Sequence, residues 1–287
     1  MGFMRHIKAC NQHDPAKFIP LKIQGMEIGK VRPLFAENLA RWPQLFHVTD
    51  SSVEFVFPSP DLRERSAALA DVIQQLVNEK ILCALHGEMY AANDGHLEKP
   101  LLLIDRAIAP YFGIRSYGQH LNGFVRTNDG MKLWIARRAK DRANYPGCLD
   151  NFVAGGLPHG LNLAENMAKE CWEEAAVPAE IASRAIPVGA VSYNVDTVKG
   201  FNPFTLFCYD LELPQDFQPR CTDGEVECFY LWPVEKVMEI VKERDEFKLN
   251  CNLVIIDFLI RHGFIGPEDD DYLEFISGLH LSWNSCL

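Results

Sequence analysis

The sequence predicts an α/β protein with two domains and a short tail. In the C-terminal part, helix and strand patterns interleave, as expected for helices that pack around one sheet. Short strands, a hairpin and an amphipathic helix come before them, so a smaller α+β accessory domain is expected at the N-terminus. With 287 residues, 48% of them hydrophobic, the chain is long enough to bury two cores. We expect the domains at residues 1–118 and 119–265 and a tail helix at 266–287.

Composition limits the kinds of partner and compartment. The formal net charge of −11 argues against a nucleic-acid partner, because phosphate backbones are bound by clustered lysines and arginines. A phosphorylated small molecule remains allowed, since metal ions offset local charge. The nine cysteines show no zinc-ligand spacing, and their odd number suits free thiols in a reducing compartment. No apolar stretch suits a signal peptide or a membrane span, so we expect a cytoplasmic protein with no membrane partner.

The N-terminal domain shows structure but no catalytic constellation. Short strands are predicted on either side of Gly25, and a hairpin is predicted around the turn at residues 50–52. Pro60 precedes a clear amphipathic helix at residues 61–79. We interpret this domain as a module that covers substrate or forms a homodimer.

Basic side chains cluster where the second domain begins. A hairpin is predicted around the turn at residues 128–130. The return strand runs into the dense basic run of this acidic protein, which contains Arg137, Arg138, Lys140 and Arg142. Arg115, Arg137 and Arg138 are candidates for binding a phosphate. The alternatives are that Arg115 pairs with a carboxylate and that the run is a solvated loop.

The rest of the chain is organised around residues 155–176. Asn162 and Glu165 have the spacing of a capping-box variant, so a helix is predicted to begin near Leu163. Three glycines in front of this helix are expected to bend the backbone tightly where a side chain would interfere: Gly155, Gly156 and Gly160.

This helix carries a cluster of carboxylates. At about 100° per residue, one face holds Glu170, Glu173 and Glu174. The packing face is expected to hold Ala164, Ala168, Cys171, Trp172 and Ala175. Like charges at this spacing destabilise a helix by a few tenths of a kcal/mol per pair, so folding gives no reason to collect them. A Mg²⁺ ion, or Mn²⁺ in its place, gives such a reason, whereas the alternative is a solvated acidic face.

Two further acids follow the helix. Glu225 and Glu227 stand two residues apart where a strand at residues 227–232 begins, so both are expected on one side of the sheet. They are candidates for additional catalytic carboxylates, and the alternative is a solvated strand edge. Before them, a loop is predicted at residues 194–203. A last apolar helix is predicted at residues 249–262, and an aromatic tail follows it near Trp283.

Gly155, its strand-loop-helix context and the run of Lys169, Glu170, Glu173 and Glu174 resemble the Nudix box of the Nudix hydrolases. Aligned on these glutamates, three positions of the box differ in this chain. The first glutamate of the box falls on Leu161, its arginine on Lys169 and its second glycine on Ala176.

The flanking segments, residues 145–151 and 223–227, are similar to one Nudix branch. That branch is associated with thiamine pyrophosphate and its analogues, and it is known partly as a domain fused to thiamine pyrophosphokinase. The resemblance implies a Nudix α/β/α sandwich with a mixed sheet. It also implies a Mg²⁺-dependent pyrophosphohydrolase that cleaves a small-molecule diphosphate linked to an organic moiety.

The resemblance also implies roles for individual residues. Glu170 and Glu174 are expected to bind the metal, with Glu173 as a further ligand or as the general base. The backbone of residues 155–160 is expected to cradle the metal, so Gly155 and Gly156 belong to the binding site. The expected substrate is thiamine pyrophosphate or an analogue, cleaved to the monophosphate and phosphate. A nucleoside diphosphate derivative stays open as the substrate, and so does a degenerate domain that binds without turnover.

Overall fold

Three sheets, two small and one large, organise the hydrophobic cores of the protein in the computed structural model, which describes residues 2–282. One core fills the N-terminal unit, and two others lie on opposite faces of the large sheet. Trp283, named in the predicted tail, lies outside the described residues. No helix within residues 2–282 has the length and apolar character needed to cross a membrane.

The N-terminal unit contains two small sheets. Its strands are β1 (Ile19–Ile23), β2 (Met26–Val31), β3 (Phe46–Val48), β4 (Val53–Phe55), β5 (Met89–Ala92) and β6 (Leu102–Asp105). The first four form one sheet in the order β2-β1-β4-β3, and β5 pairs with β6 separately. The antiparallel pairing of β3 with β4 confirms the hairpin predicted around residues 50–52.

Within the described residues, four α-helices precede the large sheet. They are α1 (Met4–Cys10), α2 (Pro33–Leu39), α3 (Leu62–Asn78) and α4 (Ala109–Phe112). The Asp61 carboxylate caps α3 by accepting hydrogen bonds from the backbone N–H groups of Arg63 and Glu64, at 2.8 and 3.0 Å. The buried hydrophobic residues of α1, Ile7 and Cys10, belong to a core on the large sheet, whereas those of the other three helices belong to the core of the N-terminal unit. The division at residue 118 stays a prediction.

The large sheet has seven strands. They are β7 (Ser116–Thr127), β8 (Gly130–Arg138), β9 (Leu149–Asp150), β10 (Val153–Gly156), β11 (Ile186–Asp196), β12 (Phe201–Glu212) and β13 (Val226–Pro233). The main order is β11-β12-β7-β8-β13, with β10 paired to β7 and β9 paired to β8. Only β7 and β12 pair in parallel among these strands, so the sheet is mixed.

Helices cover both faces of this sheet. They are α5 (Leu163–Ala175), α6 (Ala179–Ala182), α7 (Val234–Glu243), α8 (Cys251–Arg261) and α9 (Tyr272–Leu279). On one face α5 and α6 enclose a core, and on the other α1, α7, α8 and α9 enclose a second core. The predicted α/β/α sandwich with a mixed sheet, preceded by an α+β unit, is confirmed.

β7 positions the segment that leads into α5. This strand is buried over most of its length and pairs along one edge with β10 and then with β8. Gly155 lies opposite Gln119, and Gly156 lies opposite Gly118. The bend predicted at Gly155 and Gly156 is therefore wrong, because both residues belong to a regular strand. Gly160 does need its glycine, since its φ of +99° lies in the left-handed region.

The loop predicted at residues 194–203 is also wrong in extent. β11 and β12 continue through most of it, and Asp196 pairs with Phe201 at the end of the hairpin. Burial explains the extension: the Phe201 ring is fully buried and stacks on the His13 ring at a centroid distance of 4.1 Å.

Candidate active site

The capping box predicted for α5 is present. The Asn162 side chain accepts a hydrogen bond from the backbone N–H of Glu165 at 2.9 Å, and the Glu165 carboxylate accepts one from the backbone N–H of Asn162 at 3.0 Å. These bonds satisfy two donors that the first turn leaves unpaired. The helix therefore begins at Leu163, directly after the segment that follows β10.

The faces of α5 differ from the prediction by about one position. Its buried side chains are Asn166, Met167, Cys171, Glu174 and Ala175. Trp172 and Ala164, which were assigned to the packing face, are exposed. Glu174 therefore lies on the buried side of the helix and not on a face opposite to the core.

Two carboxylates of α5 contact β10 directly. Glu174 is buried, and its Oε2 atom accepts a hydrogen bond from the backbone N–H of Ala154 at 2.8 Å. Glu170 packs on Gly155 so closely that a methyl group on this glycine would lie 2.5 Å from Oε1 of Glu170. Gly155 is thus required by the approach of a side chain, although its backbone conformation is that of a strand.

Asn166 completes the attachment of α5 to the strands. Its Nδ2 atom donates to the carbonyl oxygen of Gly156 and to Oε1 of Gln119, both at 2.9 Å. The predicted site glycines are therefore held between β7 and α5, and Gly155 lies against Glu170.

Glu173 lies on the outer side of this cluster and is paired. The Lys169 ammonium lies 2.7 Å from Oε2 of Glu173 and 3.3 Å from Oε1 of Glu170. Lys169 thus supplies the positive charge that the box arginine would supply. At another of the three departures, Ala176 adopts a left-handed conformation with φ of +50°, where the box has its second glycine.

The carboxylate cluster fits a divalent cation. Burial raises the pKa of Glu170, the Lys169 charge opposes this rise, and the charges of Glu173 and Glu225 add to it. Burial also raises the pKa of Glu174 well above its ordinary value, and the Asp150 charge adds to the rise. A cation with oxygen ligands would relieve this repulsion, so the donors present match a Mg²⁺ or Mn²⁺ site.

The structure separates Glu225 from Glu227. The Glu225 carboxylate pairs with Arg142, and its charge acts on Glu170. The Glu227 carboxylate lies 3.2 Å from the Lys140 ammonium, and the strand register shifts between Val226 and Cys228. Because of this irregularity, the alternation used to place both acids on one side does not hold there. Their catalytic roles stay predictions, and Glu225 is the one placed near the cluster.

The predicted phosphate-binding arginines differ in how many of their N–H donors already bond to protein groups. Arg138 is buried and lies 2.8 Å from the Asp150 carboxylate, and it also donates to the carbonyl oxygens of Asn144 and Tyr145. Its contacts give it a structural role. Arg137 donates to the carbonyl oxygen of Gly147 at 2.7 Å and to the Tyr230 hydroxyl at 3.1 Å.

Arg115, the third predicted arginine, lies just before β7 and interacts with Tyr117. The Tyr117 hydroxyl donates to Oδ1 of Asn93 in the N-terminal unit at 2.9 Å. The structure therefore places Arg115 where the N-terminal unit contacts the large sheet.

A buried polar cluster, which was not predicted from the sequence, lies beside Glu174. His120, Asp150 and Cys251 place their ligand atoms within 4.8 Å of one another. The Lys248 ammonium lies 3.3 Å from the Asp150 carboxylate, and the Cys251 thiol donates to it at 2.7 Å. These residues come from three distant segments, so no local sequence pattern marks them.

The charges around Asp150 weigh against a metal at this cluster. Burial alone would raise the pKa of Asp150, but the charges of Lys248, His120 and Arg138 hold it at about 2. Two cationic side chains therefore already compensate this carboxylate. Burial also raises the pKa of the Cys251 thiol well above its ordinary value, which disfavours the thiolate that would bind a metal. The cluster is better described as an internal support under β9 and β10.

This cluster predicts how stability depends on pH. Burial lowers the pKa of His120 from 6.5 to about 4, and the Lys248 charge adds to that shift. The unfolded chain holds this proton below about pH 6.5 and the folded chain only below about pH 4, so folded-state stability falls as the pH drops across this window. At pH 4 the different protonation of His120 in the folded and unfolded chains lowers the free energy of unfolding by about 3 kcal/mol.

His120→Gln should therefore flatten the fall in the free energy of unfolding between pH 6.5 and pH 4, measured by urea titration at each pH. The comparison with the parent isolates His120, because the acids around it titrate in both proteins. Parallel pH profiles for the two proteins would contradict the assignment of a buried, neutral imidazole.

Comparison with known proteins covers both parts of the chain. A family model described as a domain of unknown function, DUF4743, matches residues 2–116. Nudix hydrolase 20, chloroplastic, of Arabidopsis thaliana is 41% identical over 291 aligned residues, which cover 97% of this chain and 77% of that protein. Nudix hydrolase 24, chloroplastic, of the same plant is 42% identical over 95% of this chain and 76% of its own length.

Among solved structures, the DR0079 protein of Deinococcus radiodurans is similar over 59% of this chain and 98% of its own length. Its sequence identity is 20%, and the TM-score is 0.43. The relationship to the two plant proteins extends through both domains and includes the carboxylate helix. On that basis, the chain belongs to the Nudix hydrolases.

Proposed function

We propose that this Nudix hydrolase is a Mg²⁺-dependent pyrophosphohydrolase that converts thiamine pyrophosphate, or an analogue, to the monophosphate and phosphate. One observation carries the proposal. Glu170 and Glu174 lie against β10 on the helix of the Nudix box, and Lys169 pairs with Glu173 beside them. The three departures from the box therefore leave the carboxylate cluster assembled, which favours an enzyme over a degenerate binding domain.

Glu170, Glu174 and Glu173 are the residues that would hold the metal. A bound Mg²⁺ ion supplies charge neutralisation for the diphosphate and lowers the pKa of an attacking water. The protein side chains supply the positions of the charges. Glu174 is fixed by the Ala154 N–H group and Glu170 by contact with Gly155, while Glu173 is left partly exposed as a further ligand or as the general base.

The two segments that resemble the thiamine pyrophosphate branch both lie near this cluster. In the first, residues 145–151, Arg138 binds the carbonyl oxygen of Tyr145 and the carboxylate of Asp150, whose charge acts on Glu174. In the second, residues 223–227, the charge of Glu225 acts on Glu170. This placement supports the substrate proposal, because the segments that set the branch apart flank the reacting site.

A substrate panel tests the proposal. The purified protein should release phosphate and the monophosphate from thiamine pyrophosphate in the presence of Mg²⁺, and it should release neither after removal of the metal with a chelator. ADP and a nucleoside diphosphate sugar serve as alternative substrates. A higher kcat/KM for either nucleotide would overturn the thiamine assignment, and no Mg²⁺-dependent product from any member would favour the degenerate domain.

Glu174→Gln should lower Mg²⁺-dependent turnover by about 100-fold or more, because the amide keeps the shape but lacks the charge that holds the cation. The fold should survive, since an amide oxygen can still accept the Ala154 N–H bond. Without metal, the melting temperature should be unchanged or higher, because a buried carboxylate is replaced by a neutral group. Glu180→Gln, at an exposed position on α6, is the matched control. Parental turnover in folded Glu174→Gln would remove this helix from the mechanism.

A further inference from the structure

A tyrosine of the N-terminal unit buries a hydroxyl group that has no hydrogen-bond partner within residues 2–282. Tyr90 lies in β5 and is 3% exposed, and its hydroxyl oxygen is buried without a partner. Leaving such a group unpaired costs about 1–3 kcal/mol. A buried donor of this kind points to a ligand that the hydroxyl would bind.

The hydroxyl lies at the strand that carries the site glycines. A methyl group on Gly156 would overlap the Tyr90 hydroxyl oxygen and would lie 3.5 Å from Cζ of Arg106. The neighbouring Gly155 contacts Glu170. Because successive residues of a strand point to opposite faces, Glu170 lies across β10 from Tyr90 and Arg106. Only this edge strand separates the metal-site carboxylate from the two groups of the N-terminal unit.

Backbone hydrogen bonds fix this arrangement. The N–H group of His159 donates to the carbonyl oxygen of Met89 at 2.7 Å, which joins the segment after β10 to β5. The N–H group of Arg106 donates to the carbonyl oxygen of Glu88 at 2.8 Å, next to the pairing of β5 with β6. Tyr90 and Arg106 are therefore held by the β5–β6 pair, which is hydrogen-bonded to the segment after β10.

Arg106 retains donors that a ligand can use. Its Nη1 atom donates to the Glu88 carboxylate at 2.8 Å, and its guanidinium lies 5.7 Å from the centre of the Tyr90 ring. The side chain is 40% exposed. A guanidinium carries five N–H donors in a fork that matches phosphate oxygens, so one pairing leaves most of them available.

Charge also favours an anion here. An anionic diphosphate that approaches Glu170, Glu173 and Glu174 needs positive charge nearby. Arg106 is close enough to supply it, since, besides the effect of burial, the Glu170 charge raises the pKa of both Tyr90 and Arg106. Four other cations near the carboxylate cluster also pair with protein carboxylates: Lys169 with Glu173, Arg138 and Lys248 with Asp150, and Arg142 with Glu225.

We propose that Tyr90 and Arg106 bind the diphosphate of the substrate, so that the N-terminal unit, a domain of unknown function, completes the substrate site of the Nudix domain. The proposal rests on the proposed function in taking a diphosphate as the substrate. It does not depend on the organic moiety. Tyr90 donates its hydroxyl hydrogen and Arg106 donates N–H groups to phosphate oxygens, so both act in binding and leave the metal ligands unchanged.

The test measures binding of methylenediphosphonate, a diphosphate analogue that is not hydrolysed, by calorimetry with Mg²⁺ present. Arg106→Gln and Tyr90→Phe should each weaken binding by about 10-fold or more, as expected for a lost hydrogen bond to a charged group. Arg41→Gln is the matched control, because the Arg41–Glu79 pair is 41% and 34% exposed and the Arg106–Glu88 pair is 40% and 36% exposed. It should bind like the parent.

Two further measurements separate ligand binding from a purely structural role. The melting temperature of Tyr90→Phe should be unchanged or higher, since the substitution removes an unpaired buried hydroxyl. With a hydrolysed substrate, Arg106→Gln should raise KM far more than it lowers kcat. Parental affinity of both variants for methylenediphosphonate, or no Mg²⁺-dependent binding by the parent, would overturn the inference.

Failure of the proposed function gives a different pattern. If the parent does not hydrolyse thiamine pyrophosphate, but binds methylenediphosphonate and loses that binding in both variants, the substrate assignment fails and the role of the N-terminal unit stands. If thiamine pyrophosphate is hydrolysed by the parent and both variants bind methylenediphosphonate like the parent, the role of Tyr90 and Arg106 fails alone.

Discussion

The close contact between α5 and β10 is the constraint on which the site depends. Glu170 packs where Gly155 has no side chain, and Glu174 accepts the backbone N–H of Ala154. Both contacts require α5 to lie almost on the strand, and Asn166 bonds to the Gly156 carbonyl oxygen to hold it there. The carboxylates are therefore positioned by backbone groups of a sheet, which move less than loop atoms do.

This arrangement concentrates negative charge at buried carboxylates. Nearby lysine and arginine side chains compensate part of that charge on both sides of the cluster. Arg138 and Lys248 pair with Asp150 under the site, while Lys169 pairs with Glu173 at its outer edge. Glu170 shares Lys169 with Glu173, and burial still raises the pKa of both Glu170 and Glu174. A bound divalent metal would supply the compensation that they lack.

Features that depend on neighbouring residues in the chain were predictable from the sequence. The capping box of Asn162 with Glu165 is local, and the structure has it. The Nudix box was recognisable because its glutamates lie on one helix. The faces of α5 were misassigned by about one position, because Glu174 looks like a surface residue until β10 supplies its hydrogen bond.

Features that depend on long-range pairing were not predictable. Gly155 and Gly156 looked like loop residues because their partners, Gln119 and Gly118, lie more than thirty positions earlier in the chain. Lys248 was missed beside Asp150 for the same reason, and so were Tyr90 and Arg106 beside Gly156. In each case the relevant side chain is ordinary in its local sequence and gains its role only from the tertiary contact.

The most direct measurement is Mn²⁺ affinity by electron paramagnetic resonance for the parent and for Gly155→Ala. This substitution keeps every carboxylate but places a methyl group 2.5 Å from Oε1 of Glu170. Mn²⁺ affinity should fall by about 10-fold or more, as for other changes that misplace metal ligands, while far-ultraviolet circular dichroism stays unchanged. Gly266→Ala, where the added methyl group meets nothing within 4 Å, should bind like the parent. Parental Mn²⁺ affinity in folded Gly155→Ala would contradict the claim that the contact between α5 and β10 positions the metal site.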